Sequence, residues 1–397
     1  MTNTVMTSKE RLLSAINIQP VDHIPLLLRF WSLGGEVDNI PFNWGDEVER
    51  VKSTLELGLD DTLMLEPPLG YVENYIVERA PGVVSQVEVL EPTDSEGTPL
   101  LKKTYSTPAG PLQTVIKITE DWTYGEDIRL FDDQNIPRLV EPLVKDMDDI
   151  HRLQYLLAEP SPQQMDVFHK RSQYLRQSAN KLGAVLDGGW VALGDAAMWL
   201  CGMERILYGQ MDDPDFLEAL LEIIFQWEMR RIDLMLEHGI EVLVHMAWYE
   251  TTDFWTPKNY RKLIKPRLVQ EIEKAHTHGV KFRYIITKSW IPYREDFLEM
   301  KIDCLTGIDP VQDKIDLAEV KVYFDGKICL MGGINSAVML TRWSDDEIRK
   351  AVDEAIDILA PGGGFILYPV DAVYNNQPWS KVEGLINQWK KRRVTAS

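Results

Sequence analysis

The sequence predicts an α/β protein built as a (β/α)8 barrel, or TIM barrel, with an antiparallel β insertion after its second strand. Three observations support this prediction. Eight short apolar segments, rich in Val, Ile and Leu, recur along the 397 residues, and longer amphipathic segments separate most of them. Each short segment is nearly continuous in apolar residues, as strands buried on both faces are. The alternation breaks over residues 85–137, where several strand-like runs follow one another.

The apolar segments define the predicted strands, and each of them ends in polar or aromatic residues. The segments are HIPLLLRFW (23–31), TLMLEP (62–67), GAVLDGGW (183–190), IEVLVHMAWYE (240–250), VKFRYIITK (280–288), IDCLTGIDP (302–310), KICLMGGIN (327–335) and GFILYPVDA (364–372). Within 85–137, the runs SQVEVLE, LLKKTYS and QTVIKIT are separated by the turn signals TDSEGT and TPAG. We predict one domain over residues 1–397, with 85–137 as an inserted β excursion.

The segments between the strands predict helices with identifiable ends. In the segment 256–279, Thr256 is the predicted N-cap and Gly279 ends the helix. Pro266 lies inside this segment and should kink or interrupt it, because proline lacks the backbone N–H that a helix needs. Ser344 is the predicted cap of another helix. Further helices are predicted at 46–58, 143–182, 191–238 and 379–393.

Composition excludes several classes of function. The formal net charge is -20, from 62 acidic residues against 42 Lys and Arg, and such a surface repels nucleic acid. The three cysteines, Cys201, Cys304 and Cys329, lack CxxC spacing, which favours a reducing cytoplasm over a disulfide framework. No apolar run is long enough to cross a bilayer, and the N-terminus does not resemble a signal peptide.

Candidate site residues follow from the predicted fold, since barrels of this kind place the active site at the carboxyl ends of the strands. The candidates for catalysis are His245, Glu250, Tyr284 and Lys288. The candidates for substrate binding are Arg29, Trp31, Glu66, Asp187, Trp248, Asp309, Asn335, Tyr368 and Asp371. Several of these residues are aromatic, and a flat ligand would need such rigid apolar walls.

Two of these residues have more than one interpretation. Arg29 follows three leucines, and a buried guanidinium needs an anionic or aromatic partner. That partner is either a substrate carboxylate or Glu66 or Asp187 in an ion pair. His245 ends a strongly apolar strand, where it is a general acid, a metal ligand or a hydrogen-bonded core residue.

Three stretches resemble the uroporphyrinogen decarboxylase superfamily. They are ERLLSAINIQPVDHIPL (10–26), TPKNYRKLIKPRLVQEIEKAHTHGVK (256–281) and GGINSAVMLTRWSDDEIRKAVDEAIDILAPGGGFIL (332–367). The superfamily includes true decarboxylases, zinc methyltransferases, and methyltransferases that demethylate methoxylated aromatics or methylamines through a corrinoid protein. The resemblance therefore implies the barrel fold and one of these activities.

The chain departs from the first two groups. True decarboxylases carry more than one arginine after strand 1 and a histidine after the last strand, whereas LLLRFWSLGGE (26–36) offers Arg29 alone and YPVDAVYNN (368–376) has no histidine. Zinc methyltransferases place His-x-Cys at the end of strand 5, where this chain has YIITKSW (284–290), and isoleucine cannot bind metal. Zinc held by His245 with Glu250 or Asp187 is left open.

The resemblance thus favours a corrinoid-dependent methyltransferase of the O-demethylation type. It would take a methyl group from a small methoxylated or methylated donor and form methylcobamide on a partner corrinoid protein. Glu250, Tyr284 or His245 would donate a proton, Lys288 would offset negative charge, and Arg29 or Asn335 would orient the donor. A cytoplasmic homodimer is expected. The alternatives are a decarboxylase acting on a tetrapyrrole or aromatic acid, and a binding protein without catalysis.

Overall fold

A computed structural model of the chain describes residues 5–30, 42, 44–68, 82–92, 97–131, 137–374 and 377–394. Among these residues, seven parallel strands form a curled sheet in the order β1-β6-β7-β8-β9-β10-β11. The strands are β1 (Thr62–Leu65), β6 (Val185–Val191), β7 (Val242–Met246), β8 (Lys281–Ile285), β9 (Cys304–Ile308), β10 (Cys329–Asn335) and β11 (Phe365–Val370). The alternation of short apolar and long amphipathic segments therefore predicted these seven strands correctly.

The first predicted strand forms isolated bridges in place of a regular strand. The Leu27 N–H donates to the Leu367 carbonyl at 3.2 Å, and the Asp60 N–H donates to the Leu26 carbonyl at 2.9 Å. This segment thus bonds to the β11 side of the sheet and to the residues that lead into β1. The α/β class and the curled parallel sheet are confirmed, whereas a regular ring of eight strands stays a prediction.

The excursion after the second predicted strand is a separate antiparallel sheet. Its strands pair in chain order and are β2 (Val84–Leu90), β3 (Leu100–Thr107), β4 (Gly110–Lys117) and β5 (Arg138–Glu141). Hydrophobic alternation in the runs predicted the first three of these strands. The fourth ends at Glu141, four residues beyond the predicted end of the insertion at 137.

Helices fill the intervals that the amphipathic segments predicted. They are α1 (Ser8–Ile16), α2 (Glu47–Glu56), α3 (Met147–Leu153), α4 (Pro162–Leu182), α5 (Leu193–Cys201), α6 (Met203–Asp212), α7 (Pro214–Glu237), α8 (Pro257–Asn259), α9 (Lys265–Thr277), α10 (Arg294–Met300), α11 (Leu317–Phe324), α12 (Met339–Arg342), α13 (Asp345–Leu359) and α14 (Trp379–Arg392). No helix among the described residues is long and apolar enough to cross a membrane.

Two predicted features of these helices are confirmed. Ser344 caps α13, because its hydroxyl accepts from the Glu347 N–H while the Glu347 carboxylate reaches back to the Ser344 backbone. Pro266 interrupts the segment 256–279, where a π-helical turn over Tyr260–Ile264 separates α8 from α9.

The core consists of two apolar layers, one on each face of the curled sheet. The inner face carries Val185, Val242, Val244 and Ile285, and Leu12 of α1 belongs to the same cluster. The outer face packs against the helices in a larger cluster. Helix α1 thus covers one side of the inner layer. Polar side chains lie elsewhere on the same face.

Gly307 in β9 tests how closely the strands approach. Its φ is +117°, and a Cβ atom placed there would lie 1.7 Å from the Ile286 carbonyl oxygen. We predict that Gly307→Ala lowers the free energy of unfolding by at least about 3 kcal/mol, through steric clash and backbone strain. Urea titration followed by circular dichroism measures the change.

The matched control is Gly384→Ala in α14, where a Cβ atom would meet no atom within 4 Å. Since alanine favours helix over glycine, this variant should be as stable as the parent or more stable by up to about 1 kcal/mol. Equal effects of the two substitutions would contradict the close strand approach at Gly307.

Candidate active site

Three polar side chains lie on the inner face of the parallel sheet. Asp187 of β6 is two residues from Val185, and Arg283 of β8 is two residues from Ile285. Successive side chains of a strand alternate between faces, so both share the inner face with those apolar neighbours. Tyr368 of β11 itself belongs to the inner apolar cluster. We call Asp187, Arg283 and Tyr368, with Thr306, Asp371 and Arg29 nearby, the inner cluster.

Arg283 is the central member of the inner cluster. It is 7% exposed, its Nε donates to the Thr306 Oγ1 at 3.0 Å, and its guanidinium carbon lies 5.8 Å from the centre of the Tyr368 ring. Within the described part of the chain, no carboxylate lies within 4.0 Å of its nitrogens; Asp187 and Asp371 are close enough only for their pKa values to respond to its charge. Arg283 is therefore a buried cation held by neutral groups.

The two carboxyl groups of the inner cluster have altered acidity. Burial raises the pKa of Asp187 to about 6, against the opposing effect of the Arg283 charge. Burial also raises the pKa of Asp371 to about 6, against a hydrogen bond from the Tyr374 hydroxyl at 2.6 Å and the charges of Arg29 and Arg283. Carboxyl groups of this kind are partly protonated near neutral pH and can donate a proton.

Arg29 and Tyr368 complete the inner cluster. The Arg29 guanidinium carbon lies 4.0 Å from the centre of the Trp190 ring, which is a cation–π contact. Burial raises the pKa of Tyr368 to about 12, so its hydroxyl stays neutral.

A second group, which we call the outer cluster, contains His245, Glu250, Tyr284 and Glu271. His245 of β7 is fully buried, with Nδ1 2.7 Å from Oε2 of Glu271 and Nε2 3.1 Å from Oε1 of Glu250. The Tyr284 hydroxyl donates to Oε2 of Glu250 at 2.6 Å, and the Gly194 N–H donates to its Oε1 at 2.7 Å. Groups from β7, β8 and α5 thus meet at one carboxylate.

The charges in the outer cluster compensate one another. Burial favours the neutral ring of His245, but the facing carboxylates of Glu250 and Glu271 outweigh this and hold its pKa well above the usual value. Burial raises the pKa of Glu271, which the neighbouring His245 opposes. The sequence predicted His245, Glu250, Tyr284 and Lys288 as candidates for catalysis, and the structure brings the first three together without Lys288.

The outer cluster lies on the opposite face of the sheet from the inner cluster. His245 pairs in register with Tyr284, and their neighbours Val244 and Ile285 face inward. Alternation therefore turns His245 and Tyr284 towards the helices, where Glu271 of α9 contacts His245. We expected the last side chains of all strands to converge on one cavity, and this expectation did not consider that successive side chains alternate between the two faces of the sheet. Catalytic roles for His245 and Tyr284 stay predictions.

Other predicted site residues lie at the ends of the strands or in the loops that follow them. Lys288 is 54% exposed and pairs with Asp253 at 2.7 Å. Asn335 donates through Nδ2 to Oδ2 of Asp309 at 2.7 Å, and its Oδ1 accepts from the Val338 N–H at 2.8 Å. Both Asn335 and Asp309 therefore tie adjacent loops together, as residues that fix turns do.

The remaining candidates are dispersed. The Trp248 N–H donates to Oδ2 of Asp195 at 3.0 Å, which anchors the loop after β7. Glu66 is 8% exposed and follows β1, and a Cβ atom on Gly189 would meet its side chain at 2.5 Å. Trp31 lies outside the described residues.

Arg283 and Thr306 were missed from the sequence. The signal was available in VKFRYII, where an arginine interrupts an apolar strand and shares a face with Lys281 and Ile285. Only the last residues of each strand were considered as candidates, so a mid-strand charge went unused.

The next feature is the placement of side chains that can bind a metal ion. There, no three His, Cys, Asp or Glu side chains are grouped so as to hold a metal ion. Cys304 and Cys329 are register partners on adjacent strands, but both are buried in the inner apolar cluster. Zinc held by His245 with Glu250 or Asp187 would have to join residues on opposite faces of the sheet, or displace existing hydrogen bonds.

Comparisons with known proteins place this architecture. The model of the family described as uroporphyrinogen decarboxylase (URO-D) matches residues 118–392. A methyltransferase from Methanosarcina mazei has a similar structure, with a TM-score of 0.59 and 17% identity over 97% of this chain and 99% of that one. A B12-independent methionine synthase from Shewanella sp. W3-18-1 has a TM-score of 0.40 and 11% identity over 56% of this chain and 64% of that one. No curated protein matches the chain.

The raised pKa of Asp187 predicts an unusual pH dependence of stability. Because its pKa of about 6 lies above the ordinary value of 3.8, the protonated carboxyl stabilises the fold at low pH, and this contribution is lost as the pH rises through about 6. Asp187→Asn removes the dependence. Relative to the parent, the variant should gain on the order of 3 kcal/mol between pH 4 and pH 8 in urea titrations. A constant difference would contradict the assignment.

The shared carboxylate of the outer cluster predicts a large loss of stability on its removal. Glu250→Ala leaves the buried His245 ring facing one carboxylate and removes the acceptor of the Tyr284 hydroxyl, so the free energy of unfolding should fall by about 3 to 5 kcal/mol. The control is Glu237→Ala at the exposed end of α7, for which about 0.5 kcal/mol or less is expected. A small effect at Glu250 would show that the cluster is not ionised as described.

Proposed function

The chain belongs to the uroporphyrinogen decarboxylase family, and we propose that it is a methyltransferase which moves a methyl group from a small methoxylated or methylated donor to the corrinoid of a partner protein. The proposal takes segment 23–31 as the first strand of an eight-stranded barrel and the carboxyl ends of the strands as the donor site. It also takes the protein to be a cytoplasmic homodimer that binds neither nucleic acid nor membrane.

One observation supports this proposal above the others: Asp187, an acid with a pKa of about 6, shares the buried inner face with Arg283. A methoxyl oxygen is a poor leaving group unless it receives a proton or contacts a cation. The inner cluster contains both kinds of group. Similarity in fold to a methyltransferase, over nearly the whole length of both chains, is consistent with the same reaction class.

The reaction divides between the two proteins. The corrinoid, which the partner would carry, supplies the nucleophile that accepts the methyl carbon. The residues of this chain act on the other product of the broken bond: the electron pair goes to the leaving oxygen or nitrogen, and Asp187 or Asp371 gives that atom a proton, so that it leaves without a negative charge. Solvent then returns the proton to the carboxylate. No step requires zinc, and the donor set of the described residues does not match the family's His-x-Cys site.

The outer cluster supplies a competing set of proton donors. His245, Glu250 and Tyr284 are hydrogen-bonded to one another and face the helices, so each would have to break an existing bond to reach a donor on the inner face. Lys288 is paired with Asp253 at the surface. We therefore propose that these residues hold the loops after β6, β7 and β8 in place, and that the acids of the inner cluster donate the proton.

A decarboxylase acting on an aromatic acid is the second candidate, favoured by one observation. The buried Arg283 has no carboxylate among the described residues within 4.0 Å, so it could hold the carboxylate of such a substrate. The two functions differ in their products, because a decarboxylase releases CO₂ and needs no corrinoid protein.

Methyl transfer is tested by mixing the purified protein with a reduced corrinoid protein and a panel of methoxyaromatics and methylamines. We predict a change in the visible cobalt spectrum with at least one donor. Asp187→Asn should lower the rate about 100-fold or more, since it removes a proton donor. The control Asp345→Asn, at the exposed start of α13, should retain the full rate. Release of CO₂ without any spectral change would overturn the proposal in favour of the decarboxylase.

A further inference from the structure

We infer that Arg283 binds the carboxylate of the methyl donor, and that the donor is therefore a small methoxylated aromatic acid. This inference rests on the proposed function and narrows it to one class of substrate. It excludes neutral methoxyaromatics and cationic methylamines as preferred donors.

The first argument is the state of Arg283. It is buried at 7% exposure, and a buried guanidinium is costly to desolvate unless an anion accompanies it. Its contacts are neutral: a hydrogen bond from Nε to Thr306 and the ring of Tyr368. The other edge of the guanidinium, formed by Nη1 and Nη2, has the geometry to donate hydrogen bonds to two carboxylate oxygens side by side. A ligand carboxylate would supply the missing anion.

The surroundings of the Nη1–Nη2 edge of Arg283 favour a bound ligand over a structural ion pair. Asp187 and Asp371 respond to the charge of Arg283, yet their oxygens lie more than 4.0 Å from its nitrogens. By contrast, buried arginines elsewhere in the chain are paired directly, such as Arg11 with Asp60 at 2.7 Å and Arg231 with Glu228 at 2.7 Å. The chain thus pairs its buried arginines where it uses them for structure, and Arg283 differs from them.

The second argument concerns the charge and shape of the surrounding residues. Arg29 contributes a second guanidinium near Asp371, so two cations face two acids that take up protons readily. An anion can bind there with the uptake of a proton, whereas a methylammonium would meet two guanidinium charges. Each guanidinium lies over an aromatic ring, Tyr368 for Arg283 and Trp190 for Arg29. Flat walls of this kind suit an aromatic acid.

The inference is tested by binding alone, without the corrinoid protein. Isothermal titration calorimetry on the full chain would compare 4-methoxybenzoate with anisole and with trimethylammonium chloride. We expect 4-methoxybenzoate to bind at least 10-fold more tightly than either of the others. Arg283→Gln should weaken its binding at least 10-fold and leave the binding of anisole unchanged.

The matched control is Arg294→Gln. Arg294 also lies over a tyrosine ring, Tyr323 at 4.7 Å, and also has a polar partner, Glu319 at 3.0 Å, but it is 40% exposed on α10. Its substitution should leave the affinity unchanged. Thr306→Val provides a second variant that keeps the charge and removes the oxygen that orients Nε, and about a 3-fold loss is expected. Thermal unfolding of each variant shows whether it is folded.

The outcomes separate the inference from the proposed function. Methyl transfer from methylamines, with no binding of 4-methoxybenzoate, would overturn the inference and keep the function. Tight, Arg283-dependent binding of 4-methoxybenzoate without methyl transfer from it would keep the carboxylate site and overturn the function. Equal affinity of 4-methoxybenzoate and anisole, or an unchanged affinity in Arg283→Gln and Thr306→Val, would also overturn the inference.

Discussion

The alternation of side chains along parallel strands is the constraint on which the site depends. Arg283 and Tyr284 are adjacent in sequence, yet one faces the inner layer and the other contacts Glu250 in the helical layer. The same parity separates Val244 from His245 in the neighbouring strand. Two polar clusters consequently occupy opposite faces of one sheet, only a backbone thickness apart, and they have different electrostatic character.

The two clusters compensate buried charge in different ways. In the outer cluster, His245 lies between two carboxylates, and Glu250 also accepts from a tyrosine hydroxyl and a backbone N–H, so almost every polar group has a partner. In the inner cluster, Arg283 has neutral partners, and burial shifts both acids towards the protonated form. A buried cation is costly to desolvate unless an anion accompanies it, and a ligand can supply that anion, whereas the charges of the outer cluster already face one another. The contrast is the reason for assigning chemistry to the inner face.

The sequence predicted where helices and strands lie better than it predicted which face of the parallel sheet each polar side chain occupies. The apolar run 240–250 contains β7 at Val242–Met246, and the cap at Ser344 and the break at Pro266 are where the residue types require them. The first predicted strand is less regular, because its backbone forms isolated bridges to residues at the two edges of the sheet.

The candidate site was predicted in part: Asp187, Tyr368, Asp371 and Arg29 lie at the inner cluster, whereas Arg283 was missed because it is in mid-strand. Which face a polar residue occupies depends on the register of the curled sheet, and the contacts of Asp309 and Asn335 depend on loop geometry that sequence patterns do not encode.

The central claim is that the inner face around Arg283 is the ligand site of the protein. Crystals of the protein soaked in 4-bromobenzoate would test it most directly, since the anomalous scattering of bromine locates the molecule independently of its shape. The account predicts that the carboxylate contacts Nη1 and Nη2 of Arg283 and that the ring lies against Tyr368. A bromine peak elsewhere, together with an Arg283 that is paired directly with Asp187 or Asp371, would contradict it.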